Sequence, residues 1–238
     1  MGVQGALASL TRLWRPRRGG PEDDGVDTAG FLKNAAYFYQ SRWTSIPMVH
    51  VLPHWNWSQG DTVDVWVYTN CETAVELFLN DVSLGSKTID LAFPRLEWQV
   101  PFEPGTLRAV CTMDGAFEIA DEVTTAGAPA AIRLSADRSE IRADGRDVAF
   151  ITADILDGSD VFVPTADSRV AFSVSGPGEI VGVDNGNQAD TAPFKNTTRA
   201  AFSGKVLALV QSTGEAGTIA VSASSNGLSN GEVTVAAQ

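Results

Sequence analysis

From Pro47 onward the hydrophobic residues of this chain recur at every second position, and that period constrains the fold more than any other feature. Val49 and Val51, then Val63, Val65 and Val67, Val75, Leu77 and Leu79, Leu96, Trp98 and Val100, and Leu107, Ala109 and Cys111 alternate with polar or solvent-tolerant residues. Side chains two apart share one face of a strand, so each run reads as a strand with one buried face. Gly60-Asp61, Asn80-Asp81, Pro94, Pro104-Gly105 and Asp114-Gly115 punctuate the runs. Short strands with turn signals between them predict an antiparallel sandwich reaching about Ala126.

Gly127-Ala128-Pro129-Ala130 reads as a joint, and a second set of β-branched runs follows it. These are Ile132–Leu134, Val148–Ile155, Val170–Val174, Ile180–Val183, Val206–Val210, Ile219–Val221 and Val233–Val235. With 238 residues the chain is long enough for two ordinary cores. The expected fold is therefore mainly β. Two tandem immunoglobulin-like β-sandwiches, over 46–127 and 130–238, are preceded by one amphipathic helix within 26–45 and a flexible basic leader over 1–25.

The helix is read from Phe31, Ala35, Phe38, Tyr39 and Trp43, which recur near the 3.6 period. So aromatic a face expects a large neighbour. If left uncovered, Phe31, Phe38, Tyr39 and Trp43 offer a route to self-association.

Charge and cysteines narrow the function. Residues 1–20 carry four Arg and no acid, whereas the rest has 13 basic against 29 acidic residues, a net of −16. That excess of negative charge argues against a nucleic-acid partner. No apolar run approaches the ~20 residues that a membrane-spanning helix needs. The leader has its arginines after a short apolar stretch rather than before it, unlike a secretory signal, so the reading favours the cytoplasm. Cys71 and Cys111 are the only cysteines; two buried free thiols are the favoured reading and a pair the alternative.

No residue stands out as catalytic and no set as a metal or cofactor site. Asp184-Asn185-Gly186-Asn187-Gln188-Ala189-Asp190 superficially resembles a calcium loop, yet it lacks the regular odd-position carboxylates and the closing Glu. Turn chemistry accounts for its Asn-Gly pair. Glu97-Trp98 reads as an outward strand carboxylate beside a core residue. The most suggestive cluster is His54-Trp55-Asn56-Trp57. Aromatic faces stack on sugar rings, so Trp55 and Trp57 on one strand face, with His54 and Asn56 on the other, form a candidate carbohydrate site. The competing reading packs both Trp rings in an interface beneath the helix.

Several segments together resemble the C-terminal part of bacterial family 2 glycoside hydrolases of the β-galactosidase type. They are Asp27-Thr28-Ala29-Gly30-Phe31, Tyr37-Phe38-Tyr39-Gln40-Ser41-Arg42-Trp43, Pro53-His54-Trp55-Asn56-Trp57 and Tyr68-Thr69-Asn70-Cys71. Val183-Asp184-Asn185-Gly186-Asn187 and Arg199-Ala200-Ala201-Phe202-Ser203-Gly204-Lys205 continue the likeness. Asn34 departs from it, since the family usually has Asp there. The resemblance implies that 26–45 is the remnant of the last helix of a catalytic barrel and that the two sandwiches buttress that barrel, with a galactoside as substrate. It also implies a retaining mechanism with two glutamates. The acid/base Glu normally follows an Asn, and none of the 11 glutamates here does.

Overall fold

The computed structural model describes residues 25–90, 95–113 and 117–238; the basic leader lies outside them but for Gly25. Helix α1 (Asn34–Trp43) leads into two β-sandwiches. In the first, a sheet of β1 (Val49–Leu52), β2 (Thr62–Thr69) and β5 (Leu96–Pro101) runs in the order β1-β2-β5. It faces a four-stranded sheet of β3 (Val75–Leu79), β4 (Val82–Lys87), β6 (Thr106–Met113) and β7 (Phe117–Thr124), ordered β4-β3-β6-β7. The fourteen residues of the alternating rows, from Val49 to Cys111, are all buried between these sheets. Trp55 and Phe102 complete the core.

The second sandwich packs β12-β14-β10-β8 against β13-β11-β15-β16-β9. The strands are β8 (Pro129–Ala136), β9 (Glu140–Ile141), β10 (Val148–Asp157), β11 (Arg169–Ser175), β12 (Gly178–Asp184), β13 (Thr198–Ala200), β14 (Lys205–Ser212), β15 (Gly217–Ser224) and β16 (Gly231–Ala237). All pairs are antiparallel except β16 with β9. Its core is aliphatic: Ile132, Ile151, Ile155, Val170, Val206 and Ile219 are among its buried side chains, with Phe172 the one aromatic among them. Strands β4, β7, β9 and β13 have no counterpart among the runs read from sequence. Six residues of β4 are exposed, and β9 and β13 are too short to show a period.

Three expectations need correction. The helix begins at Asn34, not Phe31, because Val26–Leu32 forms a reverse turn closed by a bridge between those two residues. Asp27 Oδ1 accepts the N–H groups of Ala29 and Phe31, both at 2.9 Å, and Gly30 takes φ 87°. The aromatic residues also do not form one face. Tyr37 stacks on His50 (3.7 Å between centroids) and Phe38 meets Tyr68 edge-on (5.5 Å), whereas Tyr39 stacks on Trp43, which is 77% exposed. Successive helical side chains diverge by ~100°, which sends Phe38 and Tyr39 to different sides.

The third correction concerns the cysteines. Cys71 and Cys111 are joined in a disulfide, with Cα atoms 6.6 Å apart. Cys71 follows the end of β2 and Cys111 lies in β6, so the bond ties the two sheets of the first sandwich together. The readings of two free thiols missed it because residue spacing carries no information about which strands face each other.

At the joint between the sandwiches, the Asp157 carboxylate accepts the Gly127 N–H at 2.6 Å, Ser159 at 2.8 Å and Val161 at 3.0 Å. These backbone donors, that of Gly127 foremost, hold its carboxyl below the ordinary value of 3.8.

Two outcomes are expected. Reducing Cys71–Cys111 reopens a 40-residue loop, for which chain entropy gives about 4 kcal/mol. Thermal unfolding with and without reductant should show that loss in the first sandwich, with the transition of residues 130–238 expressed alone unmoved. The second outcome is acid sensitivity. Because the folded carboxyl of Asp157 titrates below its unfolded value, its contribution is complete above about pH 5. It is lost as pH falls from about 4 toward the folded value. Asp157→Asn should lower the melting temperature at pH 7 and flatten the decline below pH 4, measured by circular dichroism.

Candidate functional site

The residues singled out in the sequence gather around two places: the joint, and the segment that enters α1. His54-Trp55-Asn56-Trp57 is not a strand. It follows β1 after Pro53, which lacks the N–H needed to continue a ladder. Trp55 therefore turns into the first core, 0% exposed, and its indole N–H donates to the Glu103 carbonyl at 2.9 Å. A ring so placed has no face for a sugar. Trp57 is half-buried, stacks on His54 at 5.2 Å and donates to the His54 carbonyl at 2.8 Å.

Asn56 reaches the joint. Its Nδ2 donates to the Ala126 carbonyl at 2.8 Å and its Oδ1 accepts the Ala126 N–H at 3.1 Å. Thr125 Oγ1 donates to the Trp55 carbonyl at 2.7 Å. The cluster thus grips the connection between sandwiches from one side while Asp157 grips it from the other.

The second place is built by the remaining motifs. Tyr68-Thr69-Asn70-Cys71 holds the exit from α1. Asn70 Nδ2 donates to the carbonyls of Ile46 (2.7 Å) and Thr44 (3.2 Å), its Oδ1 accepts the Met48 N–H at 2.8 Å, and Thr69 Oγ1 donates to Met48 O at 2.8 Å. His50 on β1, which the sequence does not single out, has Nδ1 3.1 Å from Asp121 Oδ2 on β7 and Nε2 3.4 Å from Asn34 Oδ1. Its ring also carries Tyr37, so the imidazole pins the start of α1 to the first sandwich.

The second sandwich supplies the other support. Asp27 Oδ2 lies against Gly186, where φ is 75° and a Cβ would stand 2.0 Å from that oxygen. Only glycine serves there. The loop bearing Gly186 is ordered by Arg199, whose side chain is 1% exposed. Arg199 Nη1 donates to Ala192 O at 2.6 Å, Nε lies 3.0 Å from Asp190 Oδ2, and Nη2 is 3.8 Å from Asp184 Oδ1. Asn185 Nδ2 donates to Asp190 Oδ2 and to Ala200 O, both at 3.0 Å. The Ala192 N–H, and after it Arg199, hold the Asp190 carboxyl below the usual carboxylate range.

The calcium-like segment is thus a loop folded on an internal guanidinium. Among the described residues no group of three His, Cys, Asp or Glu side chains is disposed to hold a metal ion. Glu97 is exposed and paired with Arg95, whose guanidinium covers the Trp66 ring at 3.7 Å.

Residues 132–234 match the glycoside hydrolase family 2 C-terminal domain 5, and residues 60–117 match a domain family of unknown function. The chain is 43% identical over 213 residues to the beta-galactosidase BoGH2A of Bacteroides ovatus, covering 90% of this chain and 25% of that protein. It is 35% identical over 196 residues to a putative beta-glucuronidase of Formosa agariphila, covering 80% and 19%. A beta-glycosidase from Bacteroides vulgatus superposes with a TM-score of 0.85 at 37% identity, over 89% of this chain and 27% of that one. The chain therefore spans about a quarter or less of the curated relatives it matches. It belongs to the family 2 glycoside hydrolases, as a C-terminal region of β-sandwich domains.

Proposed function

We propose that this chain is the non-catalytic accessory region of a family 2 hydrolase acting on β-galactosides, and that it holds the catalytic barrel in place. One observation carries this reading. Motif residues from both sandwiches converge on the segment 26–48, which enters them: Gly186 seats Asp27, His50 and Tyr68 hold α1, and Asn70 holds its exit. Trp43, Ile46 and Leu32 of the same segment are exposed. Covering such side chains contributes ~1.5–3 kcal/mol each, so this face suits the barrel whose last helix α1 would be. In the isolated chain the same face, centred on Trp43, is the route to self-association; Phe31 and Phe38 are already engaged.

A retaining glycosidase of this family works with two glutamates, the acid/base one following an Asn, and none of the 11 glutamates here follows one. Galactosides are favoured over glucuronides by the higher identity to the relative named beta-galactosidase. The disulfide suits an oxidising compartment better than the cytoplasm suggested by the N-terminal residues.

The purified chain should turn over neither a chromogenic β-galactoside nor a β-glucuronide. Turnover that vanishes when one of its own carboxylates is replaced would overturn the non-catalytic reading. Sedimentation should show concentration-dependent association that Trp43→Ser reduces severalfold; an unaltered profile would remove the Trp43 face from the proposal.

A further inference from the structure

A cleft of about 220 Å³ opens between the entering segment and the second sandwich. Asp27, Phe31 and Lys33 form one wall; Asn187, Gln188, Phe202, Ser203 and Lys205 form the other. Sites for drug-sized ligands run to ~300–1,000 Å³, so this space suits a single ring. The second wall has two parts, each held by its own bonds. Residues 186–188 are tied to Arg199 through Asp184, Asn185 and Asp190, and Asn187 Oδ1 accepts the Ala189 N–H at 3.0 Å. The other part is a two-residue turn closed by Phe202 and Lys205, with Ser203 at φ 49° and Gly204 at φ 77°. A Cβ at Gly204 would strike the Val163 carbonyl at 2.4 Å, so the turn is seated inward there and Ser203 occupies its exposed corner.

The cleft's chemistry is that of a neutral polyol partner. Its exposed amide, Gln188, and the Ser203 hydroxyl each donate and accept. The Phe202 ring lines the cleft beside that of Phe31, which Lys205 covers. The charged groups are engaged: Asp27 Oδ1 accepts two backbone N–H groups, Lys205 Nζ sits 2.5 Å from Asp154 Oδ1, over the rings of Phe162 (4.8 Å) and Phe31 (5.6 Å), and Lys33 is not free either. An anion would have to draw Lys205 away from Asp154. We propose that this cleft binds one neutral pyranose ring, with Gln188 and Ser203 hydrogen-bonding its hydroxyls and Phe202 packing on its carbon face. It is separate from His54-Trp55-Asn56-Trp57, whose polar groups are committed to the joint.

The accessory reading enters only in the choice of a β-galactoside as probe. Titration of the isotope-labelled chain with methyl β-galactopyranoside or lactose, followed by amide chemical shifts, should give saturable millimolar binding at Gly186–Gln188 and Phe202–Lys205. Sodium glucuronate should bind at least fivefold more weakly. Gln188→Ala, at an exposed position that folding does not need, and Phe202→Leu, which keeps the apolar bulk, should each weaken binding at least fivefold with the remaining spectrum preserved. Overturning results are no saturable shift with either neutral sugar, glucuronate binding as tightly, shifts centred on His54–Trp57, or both variants binding as the parent does. No step involves turnover or barrel docking. Absence of binding therefore leaves the accessory role standing, and a chain that proved catalytic would leave this site to be judged on its own titration.

Discussion

The bidentate bond between the Asn56 amide and the Ala126 peptide is the interaction on which the rest of the arrangement depends. Two sandwiches joined by three or four small residues would ordinarily move relative to one another. Here the connection is itself a fixed object. Asn56 and Trp55 hold residues 125 and 126 from the first sandwich, and Asp157 holds Gly127 from the second. Ala126 meanwhile lies in the second core. Its peptide belongs to one sandwich and its methyl group to the other, so a hinge motion has to break hydrogen bonds in a buried setting rather than merely rotate a linker.

Fixing the joint has a consequence at a distance. Residues 27–31 rest on the second sandwich and residues 37–48 on the first, so the incoming chain is held at two points whose separation the joint sets. Asp27 on Gly186 and Tyr37 on His50 can both be made only at one relative placement of the sandwiches. The chain is in effect a three-point frame: joint, Asp27 seat and α1 seat. A domain preceding residue 26 would inherit its orientation from all three, which is what a supporting region must supply.

Much of this was legible because burial follows the pleat. Where one strand face meets water and the other a facing sheet, alternation has to appear in the sequence, and Val63, Val65 and Val67 or Leu107, Ala109 and Cys111 show it directly. Strand β4 escapes for the same reason, since with neither face buried it has no pattern to show. The site was less legible. Trp55, Asn56 and Asp184 were visible as residues, but their partners Glu103, Ala126 and Arg199 lie 48, 70 and 15 positions away. Pairings of that kind are set by topology. The period also misled where it was shortest: four aromatic residues near a 3.6 spacing suggested one face, yet the Asp27 turn removed Phe31 from the helix and the helical angle divided the rest.

Arg199 shows what the second sandwich contributes beyond stability. Burying a guanidinium is costly, and a well-packed apolar side chain in its place is often as stable or more so. Stability alone therefore does not account for it. What no apolar residue supplies is a positive charge that sits between the carboxylates of Asp184 and Asp190 while its Nη1 donates to the Ala192 carbonyl. Without the guanidinium the loop that presents Gly186 at φ 75° would keep the turn bonds of Asp184 and Asn185 but lose its central ion pairs, which loosens the seat of Asp27. The ion network is thus positional. It converts a flexible Asn-Gly turn into a surface rigid enough to hold the entering chain, and the same rigidity forms one wall of the cleft beside it.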